Sequence, residues 1–231
     1  MNQDDEKRCV GEAAAEEVED GMILGLGTGS TVKFFAKAIA ARIRKGLNLR
    51  AIPTSMQSRG LAEAYGIPLV DWDGIEAIDL CVDGADEITP DLSMIKGGGG
   101  ALLWEKIVAS ASQRRLYIMD SSKLVGELGA FPLPVEVVEF GHTHIGRILN
   151  AMAGDAQVRL SGEEPFITDS GNLIYDCHFG SIPDPADLNK RLTAIPGIVE
   201  TGLFVGMANQ VLTVLDGRIV SRFPATGRKW V

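Results

Sequence analysis

The chain has 231 residues, 45% hydrophobic and 23% charged, a balance that excludes a disordered or low-complexity chain and allows one large domain or two modest ones. Lys and Arg number 22 against 31 Asp and Glu, a formal net charge of −9, so the overall field attracts neither nucleic acid nor an anionic membrane. Cys9, Cys81 and Cys177 are far apart and form no CxxC pair, which argues against a disulfide framework or zinc site and fits a reducing cytosol. The polar start MNQDDEKRC is unlike a secretory signal, and no apolar run nears the ~20 residues of a membrane helix, so a cytoplasmic chain with no membrane partner is expected.

In chain order, apolar spacing predicts a helix over 6–20, closed by Gly21, and a buried strand over 22–24 that runs into GLGTGST. A helix over 32–44 follows, then a strand over 47–52 ending in Pro53-Thr54-Ser55, a helix over 56–65 and a short strand over 67–70. The strand over 77–82 leads into DGADEI, the segment KGGGGALLWEK into a helix over 101–110, and the strand over 116–119 into DSSK. Such alternation implies right-handed βαβ units and an open parallel sheet of the α/β class. Beyond Phe131 the order changes: strand 135–140, helix 144–153, strand 156–160, a turn at 169–172, strand 173–179, helix 187–194 and strand 199–204. This suits a second, smaller ferredoxin-like α+β domain over 131–205. A last hairpin over 211–223, turning at Asp216-Gly217, is expected to rejoin the large sheet, so that 1–130 and 206–231 form one discontinuous catalytic domain.

Ligands of open parallel sheets bind beyond the carboxyl ends of the strands, where TGST, PTS, DGAD and DSSK fall, with KGGGG after the third. GLGTGST is neither a dinucleotide fingerprint, since Ser30 stands where the third glycine belongs, nor a Walker A loop. Its glycines and hydroxyls at a helix N-terminus make a phosphate cradle, against the plainer reading of a tight turn with Ser30 or Thr31 as N-cap. Asp83 and Asp86 flank a turn and can divide acid and base work, although an Asp-Gly pair alone is only a turn. Four consecutive glycines, Gly97–Gly100, imply close backbone approach or loop motion. Lys96 precedes them, and Glu105 and Lys106 follow on a helix, where such a pair is ordinarily a solvated face. His142, His144 and His178 all fall in the second domain, and no metal is expected.

Together, GLGTGST, IPTS, DGADEI, MIKGGGGAL with the following Glu105-Lys106, DSSK and FPLPVEV resemble the type A ribose-5-phosphate isomerase family in order and spacing, from about residue 4 to the final hairpin. Leu103-Trp104 departs from the polar residues other members often carry there. The resemblance implies a Rossmann-like sheet and interconversion of D-ribose 5-phosphate and D-ribulose 5-phosphate, in the non-oxidative pentose phosphate pathway, without cofactor or metal. It implies substrate binding by Thr28, Gly29, Ser30, Thr31, Asp83, Gly84, Ala85, Asp86, Lys96, Gly97, Gly98, Gly99 and Lys123, with Lys7 near the phosphate and Glu105 as proton acceptor. The chemistry fits. One carboxylate can move a proton between C2 and C1, Lys96 can steady the oxyanion, Asp83 can serve ring opening and Asp86 can orient its neighbours. A homodimer, or a tetramer of dimers, is expected with 131–205 at the interface. An amino-sugar-phosphate deaminase, a coenzyme A transferase and a non-catalytic sugar-phosphate sensor remain as alternatives on the same architecture. The absence of a histidine constellation in the large domain and the acidic charge weigh against the first and last.

Overall fold

Residues 1–224 are described by the computed structural model. In chain order the elements are α1 (Gln3–Ala15), β1 (Ile23–Leu26), α2 (Ser30–Ile43), β2 (Arg50–Pro53), α3 (Met56–Tyr65), β3 (Ile78–Asp83), β4 (Glu87–Ile88) and β5 (Met94–Ile95). Next come α4 (Leu102–Ser110), β6 (Ser112–Ile118), a 3-10 turn (Ser121–Lys123), β7 (Leu133–Val137), α5 (His142–Ala153) and β8 (Ala156–Val158). The rest are β9 (Leu160–Ser161), β10 (Glu164–Pro165), β11 (Leu173–Cys177), α6 (Pro185–Thr193), β12 (Ile198–Thr201), β13 (Leu203–Phe204), β14 (Gln210–Leu215) and β15 (Arg218–Arg222). The chain divides into two compact units, one of Met1–Ala85, Trp104–Lys123 and the segment from Met207, the other of Asp86–Leu103 and Leu124–Gly206. Residues 225–231, assigned to the catalytic domain from sequence, lie outside the described residues.

The first unit is a six-stranded sheet in the order β15-β14-β6-β3-β1-β2, parallel except for the β14–β15 hairpin. The final hairpin thus joins the large sheet as the sequence led us to expect. Its turn works because Asp216 (φ 49°) and Gly217 (φ 74°) both take the left-handed conformation a two-residue hairpin needs. Strand residues alternate between faces. Leu24, Leu26, Leu80, Val82, Leu116 and Ile118 pack with α1 and α2, through Val10, Ala14, Phe35 and Ile39, into one core. On the other face Ile52 and Cys81 pack against Val108 of α4. Both faces being covered, the central strands read as apolar runs rather than alternating ones.

The second unit holds a four-stranded antiparallel sheet ordered β12-β7-β11-β8, with Ile145 and Leu149 of α5 and Leu188 and Leu192 of α6 in its core. This is the ferredoxin-like arrangement. It also holds a three-stranded sheet, β13-β5-β4, and the small β9–β10 hairpin.

Several bounds differ from the sequence reading for local reasons. The first helix begins at Gln3, because the Asn2 side chain accepts from the Asp5 amide, and ends at Ala15 rather than at Gly21. Gly29 (φ 119°), not Ser30 or Thr31, is the N-cap of α2. The strand expected over 67–70 reduces to one bridge between Ala51 and Leu69, since Pro68 has no N–H to give a ladder. The strand expected over 199–204 splits at Gly202, which accepts from the Lys96 amide at 2.9 Å and sends Leu203–Phe204 to pair with β5.

Candidate active site

The strand order reverses at β1, with β2 on one side and β3 on the other, so the β1 and β3 turns border the crevice where such sheets bind ligands. There Asp83, 1% exposed, accepts through Oδ1 from the backbone N–H of Thr28 at 3.0 Å and of Gly84 at 2.8 Å. Position 27 must be glycine for this approach, because a Cβ there would lie 2.3 Å from that oxygen. The Thr28 hydroxyl sits 2.8 Å from the Thr54 hydroxyl and 2.7 Å from that of Ser55, which with Ser58 forms the capping box of α3. The PTS segment therefore braces the TGST turn. Ser30 and Thr31 open α2, where the helix N-terminus favours an anion. A cavity of about 290 Å³ opens beside the turn, lined by Gly27, Thr28, Gly29, Lys33, Gln57 and Ser58 among others. A second cavity, about 320 Å³ and largely apolar, is lined by Ile52, Val70, Trp72, Trp104 and Ile107 with none of the candidate residues.

Cys81 and Asp83 share the sheet face that α4 covers, and Tyr117 lies directly opposite Asp83 in the β3–β6 register. Glu105 is one helical turn before Val108, the residue that packs against Cys81, and is itself only 5% exposed. Burial first, then the charges of Cys81, Asp83 and Glu105, hold the Tyr117 phenol well above its ordinary value, so it stays protonated. Glu105 is thus not on a solvated helix face. It joins Asp83 and Tyr117 in a buried polar group within the first unit.

The DSSK turn is tied to α1. Asp120 accepts through Oδ1 from Gln3 Nε2 (3.2 Å) and the Ser122 amide (3.1 Å), and Glu6 accepts from the Ser121 amide (2.8 Å). Burial raises the Asp120 pKa, but the Ser122 and Gln3 hydrogen bonds and the Lys7 charge outweigh it and hold the carboxyl below its usual range. Lys7 and Lys123 flank this turn, both half-buried.

Asp86, Lys96, Gly97, Gly98 and Gly99 fall in the second unit rather than on the edge of the six-stranded sheet. Asp86 Oδ2 accepts from the Gly98 amide at 2.8 Å, and a Cβ on Gly98 would meet that carboxylate at 2.7 Å. Lys96 is buried, its Nζ 5.3 Å from the centroid of Phe204. Tyr117, Asp120 and Arg159, which touch or neighbour the candidate residues, escaped the sequence reading. Asp120 heads the DSSK motif and was open to notice, whereas the other two depend on register and long-range pairing. Among the described residues no group of three or more His, Cys, Asp or Glu is placed to hold a metal ion, and no helix is long and apolar enough to cross a membrane.

An open parallel sheet with buried carboxylates and a glycine-hydroxyl turn at its carboxyl edge defines the class: an α/β enzyme acting on a small ligand. The sequence profile of ribose 5-phosphate isomerase A (phosphoriboisomerase A) matches residues 50–216. The ribose-5-phosphate isomerase A of Parvibaculum lavamentivorans is 48% identical over 223 residues, covering 94% of this chain and 96% of its own. The solved ribose 5 phosphate isomerase A of Neisseria gonorrhoeae superposes with a TM-score of 0.90 at 38% identity, covering 97% and 99% of the two chains. A D-ribose-5-phosphate isomerase solved in complex with phospho-erythronic acid superposes with a TM-score of 0.93 at 35% identity, covering 96% and 100%. The chain belongs to the ribose 5-phosphate isomerase A family and is an isomerase.

Proposed function

We propose that this isomerase interconverts D-ribose 5-phosphate and D-ribulose 5-phosphate through an enediolate, with Glu105 as the base. The observation that carries the reading is the buried group formed by Asp83, Glu105 and Tyr117 at the carboxyl edge of the sheet. Thr28, Gly29, Ser30 and Thr31 hold the phosphate through backbone N–H groups, hydroxyls and the α2 dipole, with Lys7 and Lys123 adding positive charge. That a solved relative binds phospho-erythronic acid, a phosphate-bearing acid, supports a phosphate subsite of this kind.

Asp83, beside Gly84 and Ala85, serves opening of the furanose ring. Glu105 then takes the C2 hydrogen of the open-chain aldose as a proton. The electron pair forms the C1–C2 double bond, and the aldehyde oxygen becomes an oxyanion. Returning the proton to C1, while the hydroxyl proton moves from O2 to O1, gives the ketose. Lys96 and the amides of Gly97 and Gly99 steady the developing charge, and Asp86 holds the glycine run by accepting from the Gly98 amide. No step calls for a redox cofactor.

Purified protein should convert ribose 5-phosphate to ribulose 5-phosphate without added cofactor. Glu105→Gln keeps the side-chain shape and removes its basicity, so kcat should fall about 10²–10⁴-fold with KM changed far less. The variant should also stop exchanging the C2 hydrogen with solvent deuterium. Exchange at the wild-type rate would remove Glu105 as the base and leave Asp83 in its place.

A further inference from the structure

The glycine run is held from below by a side chain outside every motif noted above. Arg159, between β8 and β9, donates from Nη1 to the carbonyls of Gly97 at 2.8 Å and Gly98 at 3.2 Å. Its Nε donates to Asp176 Oδ2 on β11 at 2.9 Å, and Nη2 pairs with the other oxygen, so the fork is locked. The side chains of Arg159 and Asp176 are only 14% and 24% exposed. Arg159 and Phe166 bracket the β9–β10 hairpin and are joined by a 2.9 Å bond from the Phe166 amide to the Arg159 carbonyl. The Phe166 ring lies against Gly100, so close that a Cβ there would meet it at 2.4 Å.

A planar trans peptide ties the direction of each carbonyl to that of the next amide. With the Gly97 carbonyl on Arg159, the Gly98 amide faces the other way, where it meets Asp86 Oδ2. With the Gly98 carbonyl on Arg159, the Gly99 amide likewise faces away from the guanidinium, on an exposed residue. The Gly100 amide closes the run as a turn on the Gly97 carbonyl at 3.0 Å, and because glycine fixes no orientation for the peptides inside that turn, the guanidinium sets that of the Gly98–Gly99 peptide. We propose that Arg159, locked by Asp176, is a positioning residue that orients the Gly98–Gly99 peptide so that the Gly99 N–H is presented to the oxyanion of the substrate. This rests on the reading of the glycine run as a substrate-binding segment.

The test compares wild type with Arg159→Ala, Arg159→Lys and Asp176→Asn by steady-state kinetics on ribose 5-phosphate, inhibition by inorganic phosphate, and amide hydrogen exchange over residues 97–100. Arg159→Ala should lower kcat about 10–100-fold, the scale of a reacting group displaced by about 1 Å. Exchange over 97–100 should quicken about tenfold or more. Phosphate inhibition, which reads the residue 28–31 turn of the other unit, should stay within about twofold. Arg159→Lys keeps the charge but loses the fork, so it should recover only part of kcat, and Asp176→Asn should fall between it and wild type. Folded Arg159→Lys with wild-type kcat and wild-type exchange would overturn the proposal even if Arg159→Ala failed to fold. A wild-type enzyme inactive on ribose 5-phosphate would overturn the substrate reading instead, and unchanged exchange in the variants would then overturn the positioning role by itself.

Discussion

Thr31 is a residue whose contribution can be separated from folding. It sits in the first turn of α2, nearly buried, and valine matches its shape without the hydroxyl. A hydrogen bond to a charged group contributes about 1.5–3 kcal/mol. Thr31→Val should therefore raise KM about 10- to 100-fold with a smaller change in kcat, because a bond to the non-reacting phosphate is shared by ground and transition states. Steady-state kinetics checks this, and an unchanged KM would remove Thr31 from the phosphate subsite. Tyr117 illustrates the opposite case, a residue almost wholly buried. Its phenol stays neutral because burial and the neighbouring Cys81, Asp83 and Glu105 all oppose a further negative charge.

At the scale of elements, β7 carries a buried carboxylate at the centre of the small antiparallel sheet. Glu136 accepts through Oε1 from the Thr168 hydroxyl and the Asn172 amide, both at 2.9 Å. Burial, and then the charges of Glu200 and Asp169, outweigh these bonds and raise its pKa above the ordinary carboxylate value. A carboxyl whose folded pKa is raised contributes most stability below its unfolded pKa and loses that contribution as pH rises through the folded one. Glu136→Gln removes this titration. The melting temperature of the wild type relative to Glu136→Gln should therefore be higher at pH 5 than at pH 7, and thermal melts at the two pH values check the sign. The helices α1 and α2 need no such device. Phe35 is fully buried between them, and Phe35→Ala should lower stability by about 3–5 kcal/mol, measurable by denaturant unfolding.

For the whole molecule, subunit assembly is the expectation with the clearest surface correlate. Phe140 is 93% exposed, and Leu160 and Ile167 of the second unit are also open to solvent. We propose a homodimer, or a dimer of dimers, built through this unit. Sedimentation or light scattering at micromolar protein should give a mass of two or four chains, and a monomeric mass would refute the proposal. Activity should persist after exhaustive EDTA treatment, since every proposed step uses side chains and backbone amides. Loss of activity restored by a divalent ion would require a different reaction scheme.

The parts of the fold readable from the chain alone are those that local chemistry decides. The helix over 56–65 was legible in the sequence, and its local reason is that Ser55 and Ser58 close its start and Gly66 (φ 67°) ends it in the structure. The final hairpin was legible in Asp216-Gly217, and the carboxyl-edge turns in their glycines and hydroxyls at strand ends. The ferredoxin-like class of the second unit was legible in its alternation of elements, whereas its strand order came from the structure. Other features passed to the tertiary structure. The two-residue strands β4 and β5 are too short to carry a period, and their pairing is completed by β13, more than a hundred residues away. The burial of Glu105 depends on which face of α4 meets the sheet, and the place of Tyr117 on the register between β3 and β6. Arg159 reaches Gly97 across 62 positions of sequence. Such contacts are set by strand order and packing, which no local pattern encodes, and they decide how the legible motifs are held.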